Sequence, residues 1–544
     1  MPAAICAPQP DAVDAGATIL RNGGNAIDAA VACALAQAIV DPQDCGLGGY
    51  ALVNLHLAGM SGSIGLDAPA LAGAKVTENM WVDQVIRPNP DGWGFFLKGH
   101  LNESGYTSIC TPGTVKMLAA LLERWGTKSW AEVAAPAMRL AEEGWMVGGM
   151  IAGWWQRSRR YPETVSFMDQ ITRHAEASRI YLDENGNAYE AGDVIRNPDY
   201  ARSLERIVAN GPEDFYHGDL MAQMTGDLAA NGSFVTRPDF ESYQLREQMS
   251  VSGTYRGHVV TSAAPPHGGP TLIAILNILE GYDLSSLGHN SPAYIYTVAM
   301  AMKAAFADRN PTMADPNFVD VPTEWMMTKE RATHWRDHIA AGEPIHAEFT
   351  PTGSPHTTHV SVVDGAGNVV NLTHSLGMSS GVITPGLGFM YNNSMINFHP
   401  WPGHPNSIAP GKGRTTGMAP TIVYRKGDTE ARHPLLALGA PGATRIITGC
   451  VQVILNVLDF GMSVQEAVYA PRFDCQVGAI RHERRIPGSV MREVAQRHPV
   501  LELPYSYGGV GLVHALHIDP ETGALSGGAD GGGEGMAEIV ETGD

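Results

Sequence analysis

The sequence predicts an α+β chain built in layers, and three stretches carry that prediction. His356 to Leu376 patterns as a β-hairpin: Val360 and Val362 fall on one face, Ser361 and Val363 on the other. Asp364-Gly365-Ala366-Gly367-Asn368 is its turn, because Gly and Asn tolerate positive φ. Ala26 to Val40 patterns as a helix that is apolar nearly all round apart from Asp28 and Gln37, and such a helix belongs between layers. Leu435 to Leu458 combines a short buried strand ending at Gly439, a turn over Ala440-Pro441-Gly442-Ala443-Thr444, and an apolar-periodic helix from Arg445.

Along the chain, Ala12 to Leu20 has helical spacing of Val13, Ile19 and Leu20, and Asn22-Gly23-Gly24 ends it. Asn25 is placed to cap the next helix. Gly46-Leu47-Gly48-Gly49 leads into a strand over Tyr50 to Leu57; these glycines suit a tight turn better than a pocket wall, and no Lys-Ser/Thr pair follows to make a phosphate loop. Residues 113–145 and 199–210 pattern as amphipathic helices. Trp145, Trp154, Trp155 and Arg157-Ser158-Arg159-Arg160 form an aromatic-basic cluster. A packed helix with a solvated charged end explains it more simply than a site for an anionic substrate. Ala264-Pro265-Pro266-His267-Gly268-Gly269 is a stiff loop before a helix over Thr271 to Leu279. Residues 340–356 are mixed, Pro/Gly-containing and expected to be mobile. Arg481-His482-Glu483-Arg484-Arg485 suits a solvated basic run, and Gly527 to Gly533 a loop. No His or Cys cluster has metal-ligand spacing, and no cofactor is expected.

At 544 residues the chain is long enough for two domains or one large sandwich. A formal net charge of −20 disfavours nucleic acid or an anionic membrane as partner. Met1 to Pro10 has neither a basic nor an apolar segment of the kind that directs export, and no run is apolar for long enough to span a bilayer. A cytoplasmic setting is the expectation. Cys6, Cys33, Cys45, Cys110, Cys450 and Cys475 lack paired spacing and are expected to be reduced and mostly buried.

If Gly365 to Asn368 is a four-residue loop and Asp364 pairs with Val369, Thr357 lies opposite Leu376 and beside Ser375. That puts a Thr at a sheet edge within reach of a second hydroxyl. Inside a chain a Thr hydroxyl is a poor nucleophile. If the preceding peptide bond is cut, its own α-amino group, with a pKa of about 7.7–8.0, becomes a general base on the same residue. The plain alternative is a half-buried strand Thr.

Thr357-Thr358-His359, followed by Val360-Ser361-Val362-Val363-Asp364 and Gly367-Asn368, resembles the processing-site segment of γ-glutamyltranspeptidases, which are N-terminal-nucleophile (Ntn) hydrolases. Matching segments occur in order: Gly23-Gly24-Asn25-Ala26-Ile27-Asp28-Ala29-Ala30, Gly46-Leu47-Gly48-Gly49, Thr111-Pro112-Gly113-Thr114-Val115, Asn210-Gly211-Pro212, Tyr255-Arg256-Gly257, Ala307-Asp308-Arg309, Asn392-Asn393, Met418-Ala419-Pro420-Thr421, Pro441-Gly442 and Ala470-Pro471-Arg472-Phe473. The resemblance covers nearly the whole chain. It implies a four-layer αββα sandwich, two stacked mainly antiparallel sheets flanked by helices. It also implies cleavage between His356 and Thr357, giving a large subunit of residues 1–356 and a small one of residues 357–544. The two would form one intertwined domain, a heterodimer of the chain's own pieces, and a dimer of such heterodimers is compatible with it. Thr357 would be the nucleophile, Ser375 the hydroxyl that bonds it, and Gly442 and Ala443 the oxyanion-hole N–H groups. The family usually has Gly-Gly at that last pair.

The clamp for a γ-glutamyl group departs from the family pattern. The expected carboxylate-binding Arg is replaced by Ala68 after Asp67, and the Gln and Asp that hold the α-amino group by Ser394 and Asn397. The Asn two residues beyond Ser375 is Gly377, and a Ser-Ser pair is Thr416-Gly417. Each such contact, once desolvated, is worth on the order of 1.5–3 kcal/mol, so losing several should lower glutamyl selectivity by orders of magnitude. Arg414, His374 and Arg309 are candidate replacement anchors for a substrate carboxylate, and His267 a weaker candidate contact.

The expected activity is therefore self-processing followed by hydrolysis of an amide on a small, carboxylate-bearing, non-γ-glutamyl substrate. Within the superfamily this departure is similar to that of oxamate amidohydrolases and glutaryl-cephalosporin acylases. The alternatives are a γ-glutamyl transferase with an altered clamp, a C–C bond hydrolase of the same family, and a binding protein that never cuts itself. A γ-glutamyl anilide separates the first from amide hydrolysis, release of a diacid without ammonia marks the second, and an uncut polypeptide by intact mass marks the third.

Overall fold

Alternating and fully apolar strands need two buried faces, and the chain supplies them by stacking two antiparallel sheets. The computed structural model describes residues 2–90, 94–350 and 356–541. The strands of the two sheets are β1 (Ala3–Ala7), β2 (Tyr50–His56), β3 (Ile64–Ala68), β4 (Arg246–Met249), β5 (Val251–Tyr255), β6 (His258–Ser262), β7 (Thr358–Val363), β8 (Val369–Ser375), β9 (Thr421–Tyr424), β10 (Pro434–Gly439), β11 (His514–Ile518), β12 (Leu525–Ala529) and β13 (Met536–Val540). The first sheet runs β13-β1-β7-β8-β2-β3-β4 and the second β12-β11-β10-β9-β6-β5. Helices α1 (Pro10–Arg21), α2 (Ala26–Val40) and α3 (Thr114–Trp125) cover the outer face of the first sheet, with α4 (Trp130–Glu143) packed on α2. Beyond α5 (Gly149–Trp155) and α6 (Pro198–Asn210), helices α7 (Gly269–Leu279) and, after α8 (Pro292–Arg309), which packs on α7, α9 (Arg445–Leu458) cover the second. This is the four-layer αββα sandwich of Ntn hydrolases.

The apolar helix lies where its composition requires. Every residue of α2 is buried, and Asn25 caps it by accepting from the N–H groups of Ile27 and Asp28 while the Asp28 carboxylate accepts from Asn25 N–H. The sheets are tied together by buried amides as well as apolar packing: Asn371 Nδ2 donates to Thr421 O at 2.9 Å and Asn54 Nδ2 to Thr261 O at 3.1 Å. His359, also between the sheets, is held by Thr373 and Ser361, and burial keeps it neutral. It fits because Gly439 lacks a side chain: a Cβ there would lie 2.3 Å from the imidazole.

Several expectations need correction. The hairpin pairs Thr358 with His374 and Val363 with Val369, one residue out from the expected register. Asp364 is in the turn, not the strand. Its carboxylate accepts from the N–H groups of Ala366 and Asn368, and its other oxygen from Ala26 N–H at the start of α2, which pulls it out of the ladder. Residues 113–145 form two helices because Gly126 interrupts them. Gly527 to Ala529 belong to β12, where a Cβ on Gly528 would lie 2.7 Å from the Val464 carbonyl oxygen and one on Gly527 2.5 Å from Ala537 Cβ, so this part of the glycine-rich tail is strand rather than loop. In 481–485, His482 and Glu483 are buried, and the Glu483 carboxylate accepts from Arg472 N–H and Gly509 N–H. This stretch is a structural brace, not a solvated run. Of residues 340–356, 343–350 carry no regular structure, and 351–355 lie outside the described residues. All six cysteines are buried as free thiols. Among the described residues no helix is long and apolar enough to cross a membrane.

Candidate active site

The corrected register, continued by one residue, sets Thr357, immediately before β7, across from Ser375 at the end of β8, and Ser375 pairs onward with Tyr50 of β2. Thr357 Oγ1 donates to Ser375 Oγ at 3.1 Å and lies against the carbonyl oxygen of His356. Ser375 Oγ donates to that same oxygen at 2.9 Å and accepts from Gly377 N–H at 2.9 Å. The carbonyl preceding Thr357 is thus polarised by one hydroxyl while a second stands beside it, an arrangement capable of acyl transfer from nitrogen to oxygen. His356 is fixed from its other side. Its Nδ1 lies 2.7 Å from Asp44 Oδ1, and its ring meets Trp154 edge-on at 4.6 Å between centroids.

His356 and Thr357 open into a cavity of about 580 Å³ whose walls include Asp44, Trp154, Arg157, Met378, Gly442, Arg445 and Tyr505. Gly442 has φ +135 and approaches Gly511 so closely that a Cβ would lie 2.9 Å from its Cα. Ala443 follows at φ 56, a left-handed conformation that costs an L-residue about 1–2 kcal/mol. Among the described residues, the N–H groups of Gly442 and Ala443 have no acceptor. They precede the N-terminus of α9, so two donors and a positive dipole end meet at the cavity wall. The segment that Gly442 touches is anchored by Arg472, whose guanidinium donates to the carbonyls of Val510 and Gly511 and pairs with Asp530, all buried.

Replacing Ala443 with glycine should relieve the left-handed strain, partly offset by glycine's greater freedom when unfolded. The expected net gain is up to about 1 kcal/mol in chemical denaturation, with self-cleavage retained. A loss of stability would show that Ala443 is not strained.

Behind Thr357 and Ser375, between the sheets, lies a buried polar cluster. Arg414 stacks 4.4 Å above the Tyr50 ring and donates to the Tyr50 hydroxyl and to Thr415 O, and its Nε has no partner among the described residues. Ser394 Oγ and both side-chain polar atoms of Asn397 are buried and likewise unpartnered in the described residues. Asn406 links the two halves, donating to Asn397 O and accepting from Thr415 N–H. Thr416 Oγ1 lies 2.7 Å from His267 Nδ1, and His267 Nε2 lies 3.2 Å from Asp67 Oδ2, so His267 is a buried connector rather than an ordinary loop histidine. Gly417 must be small: a Cβ there would sit 2.2 Å from the Ala443 carbonyl oxygen. Gly377, at φ +78, has its Cβ space filled by Asn393 Oδ1 at 2.3 Å, so the absent side chain is replaced by a neighbour's amide.

Three candidates are not brought to the site as anchors. His374 projects from the opposite face of β8 to Ser375, bonds Gln37 of α2 at 2.9 Å, and is pushed down to about 3 by burial, so it is a neutral core residue. Arg309 spends one nitrogen on Thr416 O and supports the Thr416 turn from behind; burial lowers it to about 10. Ala68 is buried in β3 with its carbonyl against Gly113 and offers no polar group. The basic-aromatic cluster is the packed helix with an exposed charged end that its pattern suggests, with Trp145 and Trp155 buried, but Trp154 and Arg157 to Arg160 also line the cavity. Sequence reasoning missed Asp44 entirely, because an acid in an Asp-Pro-Gln-Asp turn gives no signal until the hairpin is docked against it.

The gamma-glutamyltranspeptidase family model matches residues 12–540. Among characterised relatives, the chain is 36% identical to the acylase ACY 1 proenzyme of Pseudomonas sp. (strain V22), over 96% of this chain and 91% of that protein. It is 34% identical to the glutathione hydrolase proenzyme of Escherichia coli (strain K12), over 86% and 79%. Among solved structures it superposes on the cephalosporin acylase from Bacillus halodurans with a TM-score of 0.87 at 27% identity, covering 100% of this chain and 96% of that one. Extent, identity and architecture agree, and this enzyme belongs to the gamma-glutamyltranspeptidase family.

Proposed function

We propose that the protein cuts itself before Thr357 and then hydrolyses an amide of a small, carboxylate-bearing acyl group other than γ-glutamyl. The observation that carries the reading is the Thr357–Ser375–His356 arrangement, in which one hydroxyl flanks a carbonyl that the other polarises. In the precursor, Thr357 Oγ adds to the His356 carbonyl carbon. The C–N bond then breaks, the acyl group passes to oxygen, and the nitrogen takes the hydroxyl proton. Water cleaves the ester, leaving His356 as a carboxylate and Thr357 with a free amine, so that residues 1–356 and 357–544 become the large and small subunits of a heterodimer.

The freed amine, with an ordinary pKa of about 7.7–8.0, then takes the Thr357 hydroxyl proton as that oxygen attacks the substrate. The N–H groups of Gly442 and Ala443 receive the oxyanion. As the tetrahedral adduct collapses, the ammonium returns its proton to the leaving amine, and water releases the acid from the Thr357 ester. On the acyl side, Arg414 is the cation that suits a substrate carboxylate. Ser394, Asn397, Thr416 and Gly417 shape the surrounding pocket without the charges that hold an α-amino acid.

The test pairs two chromogenic substrates, glutaryl p-nitroanilide and γ-glutamyl p-nitroanilide, on processed protein. Preference for the first by at least tenfold supports the reading, and preference for the second overturns it. The Asp44–His356 contact gives a separate check on processing. Asp44→Asn removes the charge that fixes the His356 ring and should slow self-cleavage by about tenfold, seen as accumulated full-length chain on a denaturing gel. Unchanged cleavage would remove Asp44 from the processing step.

A further inference from the structure

We infer that the cavity wall formed by Arg157, Trp154 and Tyr505 is a binding site for a flat, anionic leaving group. This rests on the amide-hydrolase reading only in naming the ligand as the leaving part of the substrate. The site itself stands on its own geometry.

The Arg157 guanidinium carbon lies 3.5 Å from the centroid of the Trp154 ring and 5.3 Å from that of Tyr505. Its hydrogen bond is to the Tyr505 hydroxyl, at 3.4 Å, and no carboxylate pairs with it among the described residues. Arg159, two positions along, is instead neutralised by Asp169. In a chain of formal charge −20, an exposed arginine at a cavity wall with no acid beside it among the described residues is a local positive centre in a negative field, which suits it to capturing an anion.

Position turns that centre into a specificity element. Trp154 also meets His356, the residue before the cut, so one indole contacts both Arg157 and the residue at the scissile point. An amine leaving Thr357 would enter this wall with its ring against Trp154 and Tyr505 and an anionic substituent facing Arg157. Stacking favours a planar group, and the fork of a guanidinium favours a carboxylate. Asp44, paired with His356 in the uncut chain, also lines the cavity, where its carboxylate can accept from the amine N–H. The ligand class is therefore an aromatic amino carboxylate rather than a neutral arylamine.

The probes are 4-aminobenzoate and its neutral isostere 4-aminobenzamide, with binding to processed wild-type protein read by calorimetry. The expected result is tighter binding of the carboxylate by roughly ten- to a hundredfold, an advantage lost in Arg157→Gln while 4-aminobenzamide binding is unchanged. Equal affinities in the wild type, or an advantage that survives Arg157→Gln, would overturn the site. Arg157→Lys, which keeps the charge but loses the fork and the flat stacking face, should recover only part of the preference. Self-cleavage of each variant reports that it has folded. Because binding is measured without turnover, a protein that prefers 4-aminobenzoate yet hydrolyses no amide would sink the amide-hydrolase reading and leave this site standing.

Discussion

Thr357→Ala is expected to yield a single uncut 544-residue polypeptide with amide hydrolysis reduced by at least about a thousandfold. Both halves of that expectation come from one atom. Thr357 Oγ1 is the hydroxyl beside the His356 carbonyl, and no other hydroxyl can replace it: Ser375 Oγ donates to the carbonyl oxygen and is poised to polarise rather than attack, while Thr358 points into the network of Gln9 and Gln37. Intact mass and an anilide assay check it together. Thr358→Ala is the control, since its hydroxyl faces the α2 side, and it should still cleave. Ser375→Ala should fall between them, cleaving slowly because the carbonyl loses its donor and Thr357 its acceptor. An uncut Thr357→Ala protein with undiminished hydrolysis would show that the active nucleophile lies elsewhere.

How much of this was legible in the sequence depends on whether the signal was local. The α2 helix was readable because a run apolar on every side has few places to go, and Asn25 announces its own cap. The strand–turn–helix at Leu435 to Leu458 was readable because strand, glycine turn and helix follow without interruption. The hairpin was readable as a hairpin but not to the residue: Asp364 fits a strand end until its carboxylate is seen satisfying the loop and the start of α2, and that one-residue slip moves Ser375 from beside Thr357 to directly across from it. What stayed hidden was long-range. Asp44 meets His356 across most of the chain, and Arg472 holds Gly511 under the Gly442 turn. Arg157 looks like part of a charged helix end until Tyr505, far along the chain, is brought against it at the cavity wall. His374 shows the converse error, because a histidine next to Ser375 in sequence lies on the other side of the sheet from it.

Arg414 separates an acyl pocket built for a carboxylate from one merely left empty by the lost γ-glutamyl clamp. Its neighbours argue for the first. A buried guanidinium held by one phenol and one carbonyl, with its Nε and the Asn397 side chain unpartnered among the described residues, has donors to spare in a space where an unpaired polar group is costly. A substrate carboxylate would satisfy them, and would do so one strand away from Ser375, since Tyr50 is the residue paired with it. Arg414→Met keeps much of the volume and removes the charge. The expected result is a fall in kcat/KM for glutaryl p-nitroanilide of roughly ten- to a hundredfold, the equivalent of about 1.5–3 kcal/mol for a charge-assisted hydrogen bond, with butyryl p-nitroanilide, which has no carboxylate, unaffected or improved. The loss should be carried mainly by KM if the anchor binds ground and transition states alike, and by kcat if it aligns the acyl carbonyl against Thr357. Self-cleavage should continue, because Arg414 lies behind Ser375 and bonds neither His356 nor Thr357. A variant that loses both substrates equally would make Arg414 a support for Tyr50 and the sheet beneath the site, and the acyl carboxylate would need another anchor.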